Sequence, residues 1–144
     1  MDSRRLLAEL KVGTAVEIER TAATTIANKW LKLFCPGISS FKRERATNKY
    51  LWESVEFAYA QDDAIRQYEL LLAPIYYLME DGVMSEQFLV FEIEQKPNYQ
   101  RLSMDFYLLP KNFAWTMCFT HEDGYLRRLF ALNSNYPKLN QKKY

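Results

Sequence analysis

The chain reads as an α+β domain. Helices fill its first half and an antiparallel sheet of about four to five strands its second, with the N-terminal helices packed on one sheet face and a short C-terminal helix closing the chain. Three observations predict this. Apolar residues recur at helical spacing up to about residue 72 and alternate with period two beyond Pro74. Turns rich in Pro, Asn and Gly separate the alternating runs. The 144 residues, 49% hydrophobic and 26% charged, have the size and mixture of one globular domain spanning 1–144.

Each element has its own signal. Ser3 caps a helix that carries Leu6, Leu7 and Leu10 on one face and stops at Gly13. TAVEIE alternates as a brief strand. From Thr21, the spacing of Ala23, Ile26, Trp30, Leu33 and Phe34 predicts a helix ended by CPG at 35–37. After a connecting segment, Asn48 caps a second helix through YLWESVEFAYA, with Leu51, Val55 and Ala58 inward. Asp62 and Asp63 open a third, which buries Ile65, Tyr68 and Leu72 until Pro74. IYYLM, FLVFEIE, 102–108 and 113–119 then read as strands of an antiparallel meander, the last with Phe113, Trp115, Met117 and Phe119 on one face. T-H-E-D at 120–123 fits a capping box for a final helix with Leu129 and Phe130 inward and Arg127 and Arg128 outward.

Composition restricts the function. No apolar run reaches the roughly 20 residues of a membrane-spanning helix, and MDSRRLLAELK has no signal-peptide pattern, so a cytoplasmic protein without membrane contact is expected. Cys35 and Cys118 are far apart and in no CxxC arrangement, which supports neither a disulfide framework nor a zinc site. Charge is unevenly spread: residues 1–50 balance to +5, 51–95 to −9 and 96–144 to +5. The acidic middle third favours a basic protein partner and disfavours nucleic acid.

His121 is the sole histidine, followed by Glu122 and Asp123. A hydrolase or nuclease would use it as general base, with an adjoining carboxylate to orient it and Arg127 or Arg128 to clamp an anion. Neighbours on a helix point about 100° apart, so these three side chains cannot converge on one atom unaided. A rim histidine beside a helix cap is the favoured reading, and no catalytic set is assigned. A single histidine also argues against a metal site, and without a Walker A or GxGxxG segment no cofactor is expected. FKRERATNKY, with Lys42, Arg43, Arg45 and Lys49 beside Phe41 and Tyr50, mixes cations and rings as RNA binders do; a solvated loop accounts for it more simply.

KYLWESVEF at 49–57 and FYLLPKNFAWTMCFTHEDG at 106–124 resemble a small bacterial domain family of uncharacterised function, with a YLWH-type helix, a PK turn and a W-T-x-x-x-THE ending. Glu53 stands where that family's pattern has histidine, which removes a partner for His121. The resemblance implies a compact bacterial cytosolic domain and brings no activity. In type the chain also looks like the immunity proteins that neutralise toxin domains, which need a rigid scaffold and a charged surface with aromatic anchors. The expected function is therefore protein binding to a basic toxin domain, through Trp52, Glu56, Tyr59, Asp62 and Asp63.

Overall fold

The computed structural model describes residues 15–35, 55–80, 89–97, 105–120 and 128–133. Their elements are β1 (Val16–Glu17), α1 (Arg20–Phe34), β2 (Tyr59–Ala60), α2 (Gln61–Leu70), β3 (Tyr76–Glu80), β4 (Val90–Ile93), β5 (Phe106–Pro110), β6 (Trp115–Phe119) and β7 (Arg128–Leu132). The α+β class holds. The described strands form one antiparallel sheet of seven, in the order β1-β4-β3-β5-β6-β7-β2. Its register puts Glu17, Phe91, Leu78, Leu108, Met117, Phe130 and Tyr59 in a single row from edge to edge.

Helix α1 starts where Glu19 folds its carboxylate back onto the backbone N–H groups of Thr21 and Ala22, at 3.0 and 3.3 Å. Those bonds hold the Glu19 carboxyl below its ordinary range. The helix buries Ala23, Ala27, Trp30, Leu31 and Phe34 and ends at Cys35, with Lys32 complementing the negative end of the dipole. Ala23 and Ala27 are among the buried residues, and Trp30 fills the space beside Tyr107 at a ring separation of 4.6 Å. Cys35 and Cys118 are both buried in this same core.

The expected placement of helices on one face does not hold. Helix α1 covers the face that bears Tyr77, Met79, Val90, Tyr107, Leu109, Cys118 and Leu129. Helix α2 covers the opposite face through Ala64 and Tyr68, packed on Tyr76, Leu78, Phe91, Phe106, Trp115, Met117 and Phe130. Strands β3, β5 and β6 are accordingly buried on both sides. YYLM, FYLLP and WTMCF are close to continuous apolar runs, as strands covered on both faces should be.

Five local expectations also change. Helix α2 stops at Leu70, short of Pro74, and Leu72, expected inward, is 72% exposed. Residues 55–58 are not helical, which leaves Ala58, expected inward, exposed, and 59–60 form the edge strand β2, because Tyr59 and Ala60 pair with Phe130 and Leu129 of β7. Residues 128–132 are strand rather than helix: pairing with β6 sends Leu129 to the α1 side and Arg128 and Phe130 to the α2 side. The sheet is not a simple meander, since β5 pairs with β3 instead of β4 and 94–105 must pass from one side of β3 to the other. Finally, Phe113 takes φ 62°, and this left-handed turn residue throws its ring to the α1 side, away from Trp115. The helix expected from Ser3, the 38–48 connection and the capping box beyond Thr120 lie outside the described residues.

Candidate functional site

Of the residues expected to meet a partner, Glu56, Tyr59, Asp62 and Asp63 are described; Trp52 lies outside. The segment that carries them is anchored at both ends. Val55 is buried and the Glu56 N–H donates to the Phe34 carbonyl at 3.0 Å, which ties the segment to the end of α1. The Ala58 N–H donates to the Phe130 carbonyl at 2.8 Å, and the Tyr59 ring lies 6.1 Å from the Phe130 ring. At Gln61 the chain turns from strand to helix through φ 53°, a left-handed conformation that a residue with a Cβ adopts at some cost. The Gln61 side-chain carbonyl accepts the Arg128 N–H at 2.9 Å and holds the turn in place.

What this backbone presents is an edge with rings and acids. Glu56, Asp62 and Asp63 are exposed, Tyr59 keeps 36% of its surface and Phe57 keeps 54%. Asp62 and Asp63 occupy the first turn of α2, where the unpaired N–H groups favour negative charge. Arg66 pairs with Asp63 on the surface. Phe57 was not anticipated, and no local pattern marks it, since Val55, two residues before it, is buried. Tyr76 and Tyr77, which also lie within the acidic segment, are core residues, and Tyr68 is buried as its helical spacing predicts. Glu80 is also buried, at 3% exposure, so it belongs to no docking surface.

Of the alternative catalytic set, His121, Glu122, Asp123 and Arg127 lie outside the described residues. Arg128 does not point to solvent. It is 8% exposed, its Nη1 donates to the Thr120 carbonyl at 3.1 Å, and its guanidinium lies 5.2 Å from the Phe119 ring centroid. It ends a row of paired residues, Glu80, Phe106, Phe119 and Arg128, in which two stacked rings separate a buried acid from a buried base. A guanidinium held by its own sheet in this way serves packing first.

The chain matches no family model, no curated protein and no solved structure. Its chemistry must therefore be read from its own side chains. Among the described residues no group of three or more His, Cys, Asp or Glu side chains could hold a metal ion, and no helix is long and apolar enough to cross a membrane. Among the described residues, the strongly shifted amine is Lys96, in the segment leaving β4. Its ammonium donates to the Tyr68 carbonyl in the last turn of α2 and sits 4.3 Å from the Tyr68 ring centroid and 5.9 Å from that of Trp115. Burial pushes it down to about 8, against the pull of Glu69. This lysine substitutes for a C-terminal cap, since α2 has no basic residue in its last turn.

Proposed function

We propose that this chain is a non-enzymatic protein-binding domain, an immunity protein that neutralises a basic toxin domain by covering it with the β2 edge and the start of α2. The observation that carries the reading is the exposure, side by side, of Glu56, Phe57, Tyr59, Asp62 and Asp63 on a backbone fixed to β7 and α1. Rigid presentation keeps the ordering cost of association low, rings supply apolar anchors, and carboxylates that outnumber the single cation Arg66 steer a cationic partner. Bacterial origin and cytoplasmic residence belong to the same proposal.

The test uses the chain as bait in its native host, beside a variant carrying Asp62→Lys and Asp63→Lys. A toxin domain retained by the wild type should associate with the variant about tenfold or more slowly at low ionic strength, with the difference shrinking as salt is added. Because positive charge at a helix N-terminus costs about 1–2 kcal/mol in total, melting should fall by only a few degrees. Equal association rates for the two baits would overturn the reading.

A further inference from the structure

The two helical layers carry opposite charge. Helix α1 contains Arg20, Lys29 and Lys32, all exposed, and no acidic residue. Helix α2 contains Asp62, Asp63 and Glu69, also exposed, against the single cation Arg66, which is paired with Asp63. Because the helices cover opposite faces of one sheet, cations predominate on one side and carboxylates on the other, with Glu19 at the start of α1 and Lys96 at the end of α2 as exceptions.

Their apolar surfaces also correspond. Thr24 and Thr25 turn their hydroxyls back to the carbonyls of Arg20 and Thr21, at 3.0 and 3.1 Å. Beside exposed Ala22, the outer side of α1 therefore offers methyl groups whose polar atoms are already satisfied and can lose water at low cost. On the α2 side, Leu70 and Leu72 are 74% and 72% exposed. The methyl-bearing stretch of α1 lies roughly 10 Å along the axis from Lys32, and Leu70 lies roughly 10 Å from Asp63, seven residues in each case at 1.5 Å per residue.

We infer that the outer side of α1 is a docking surface for the α2 side of a second copy of this chain, with cations meeting carboxylates and threonine methyls meeting the exposed leucines. The contact joins different surfaces of the two copies, so it is head-to-tail and each dimer keeps one free α1 side and one free α2 side. Few charges are involved and water screens them, so association is weak and confined to high protein concentration and low salt. The α2 side is the one on which the protein-binding reading also rests, and self-stacking would cover it.

The full chain is tested by sedimentation at low and at high ionic strength, beside one variant with Arg20→Glu and Lys32→Glu and another with Asp62→Lys and Asp63→Lys. Wild-type mass should rise with concentration at low salt and return to that of the monomer at high salt. Each variant alone should lose at least tenfold in association, while an equimolar mixture of the two should regain it, since each then offers the surface the other lacks. Regain in the mixture also shows that both variants are folded. A third variant, Leu70→Ser with Leu72→Ser, keeps every charge and should weaken self-association by several-fold. A wild type that stays monomeric at low salt, or variants that associate alone as the wild type does, would overturn the inference. Partner capture separates the two readings: the Arg20 and Lys32 variant keeps it if the protein-binding reading holds, whatever happens to self-association.

Discussion

The α1 side and the α2 side of the sheet each bury a tryptophan, and they treat its indole N–H differently. Trp30 donates to the Thr116 hydroxyl at 2.9 Å, and that hydroxyl donates in turn to the Leu108 carbonyl at 3.2 Å, so the polar atoms of this layer form a closed chain inside the core. Trp115, equally buried, finds no hydrogen-bond acceptor for its Nε1 among the described residues and instead lies between the Phe130 ring, Tyr68, Tyr76 and the Lys96 ammonium. The α1 layer thus pairs the polar atom of its buried indole. The α2 layer carries an uncapped helix start, a borrowed cap and an unpaired indole, and it also bears the surface we assign to binding.

Truncating the better-satisfied layer should do the most damage. Trp30→Ala removes a fully buried ring and leaves Thr116 without its donor; the expected loss is about 3–5 kcal/mol, read as a lower midpoint in denaturant with the slope unchanged. The milder pair of substitutions sharpens the contrast. Trp30→Phe breaks the bond to Thr116, whereas Trp115→Phe deletes an N–H that has nothing to bond, so the first should cost about 1–2 kcal/mol more than the second. Equal losses would mean that an acceptor reaches Trp115 after all.

Smaller again is the effect of pH, because Lys96 is half exposed and water screens it. The unfolded chain holds that lysine's proton up to about 10.5 and the folded chain gives it up near 8. Between those values the unfolded state binds more protons, so stability rises with pH; below 8 the burial cost is present in full. Tyr77 works the other way. Burial raises it above its ordinary 10.0, the unfolded chain loses the phenolic proton first, and stability falls beyond that point. Thermal melting should therefore climb from pH 8 and turn over near pH 10, and Lys96→Met should remove the climb and leave the turnover. Least affected of all should be Arg66→Ala, which breaks an exposed pair and should change stability by less than about 0.5 kcal/mol.

Sequence periodicity located α1, the start of α2 and the strands β3 to β6 because each pattern is long enough to show its period. It failed at 55–60 and 128–132, where a short run fits either period and the choice was made by a distant partner: β7 recruits β2, and β6 recruits β7. The acids and Tyr59 of the candidate site could be read from the charge imbalance. What could not be read was that Tyr76 and Tyr77 do not join them, since both sit among acids in the chain but are turned inward by the sheet. Nor does any local letter reveal that a second helix covers the opposite face. Only the near absence of polar residues in YYLM and FYLLP indicates it.

The position of β3 between β4 and β5 has a kinetic consequence. The hairpin of β3 and β4 closes a short loop and can form early, yet the other side of β3 stays open until the chain beyond β4 has crossed over and returned as β5, and β6 can add only to that later strand and β7 only to β6. Non-local pairings of this kind delay collapse to the final state. The nascent hairpin would expose one unpaired, strongly apolar border, which makes the interval before β5 arrives the moment when this chain is most prone to aggregate.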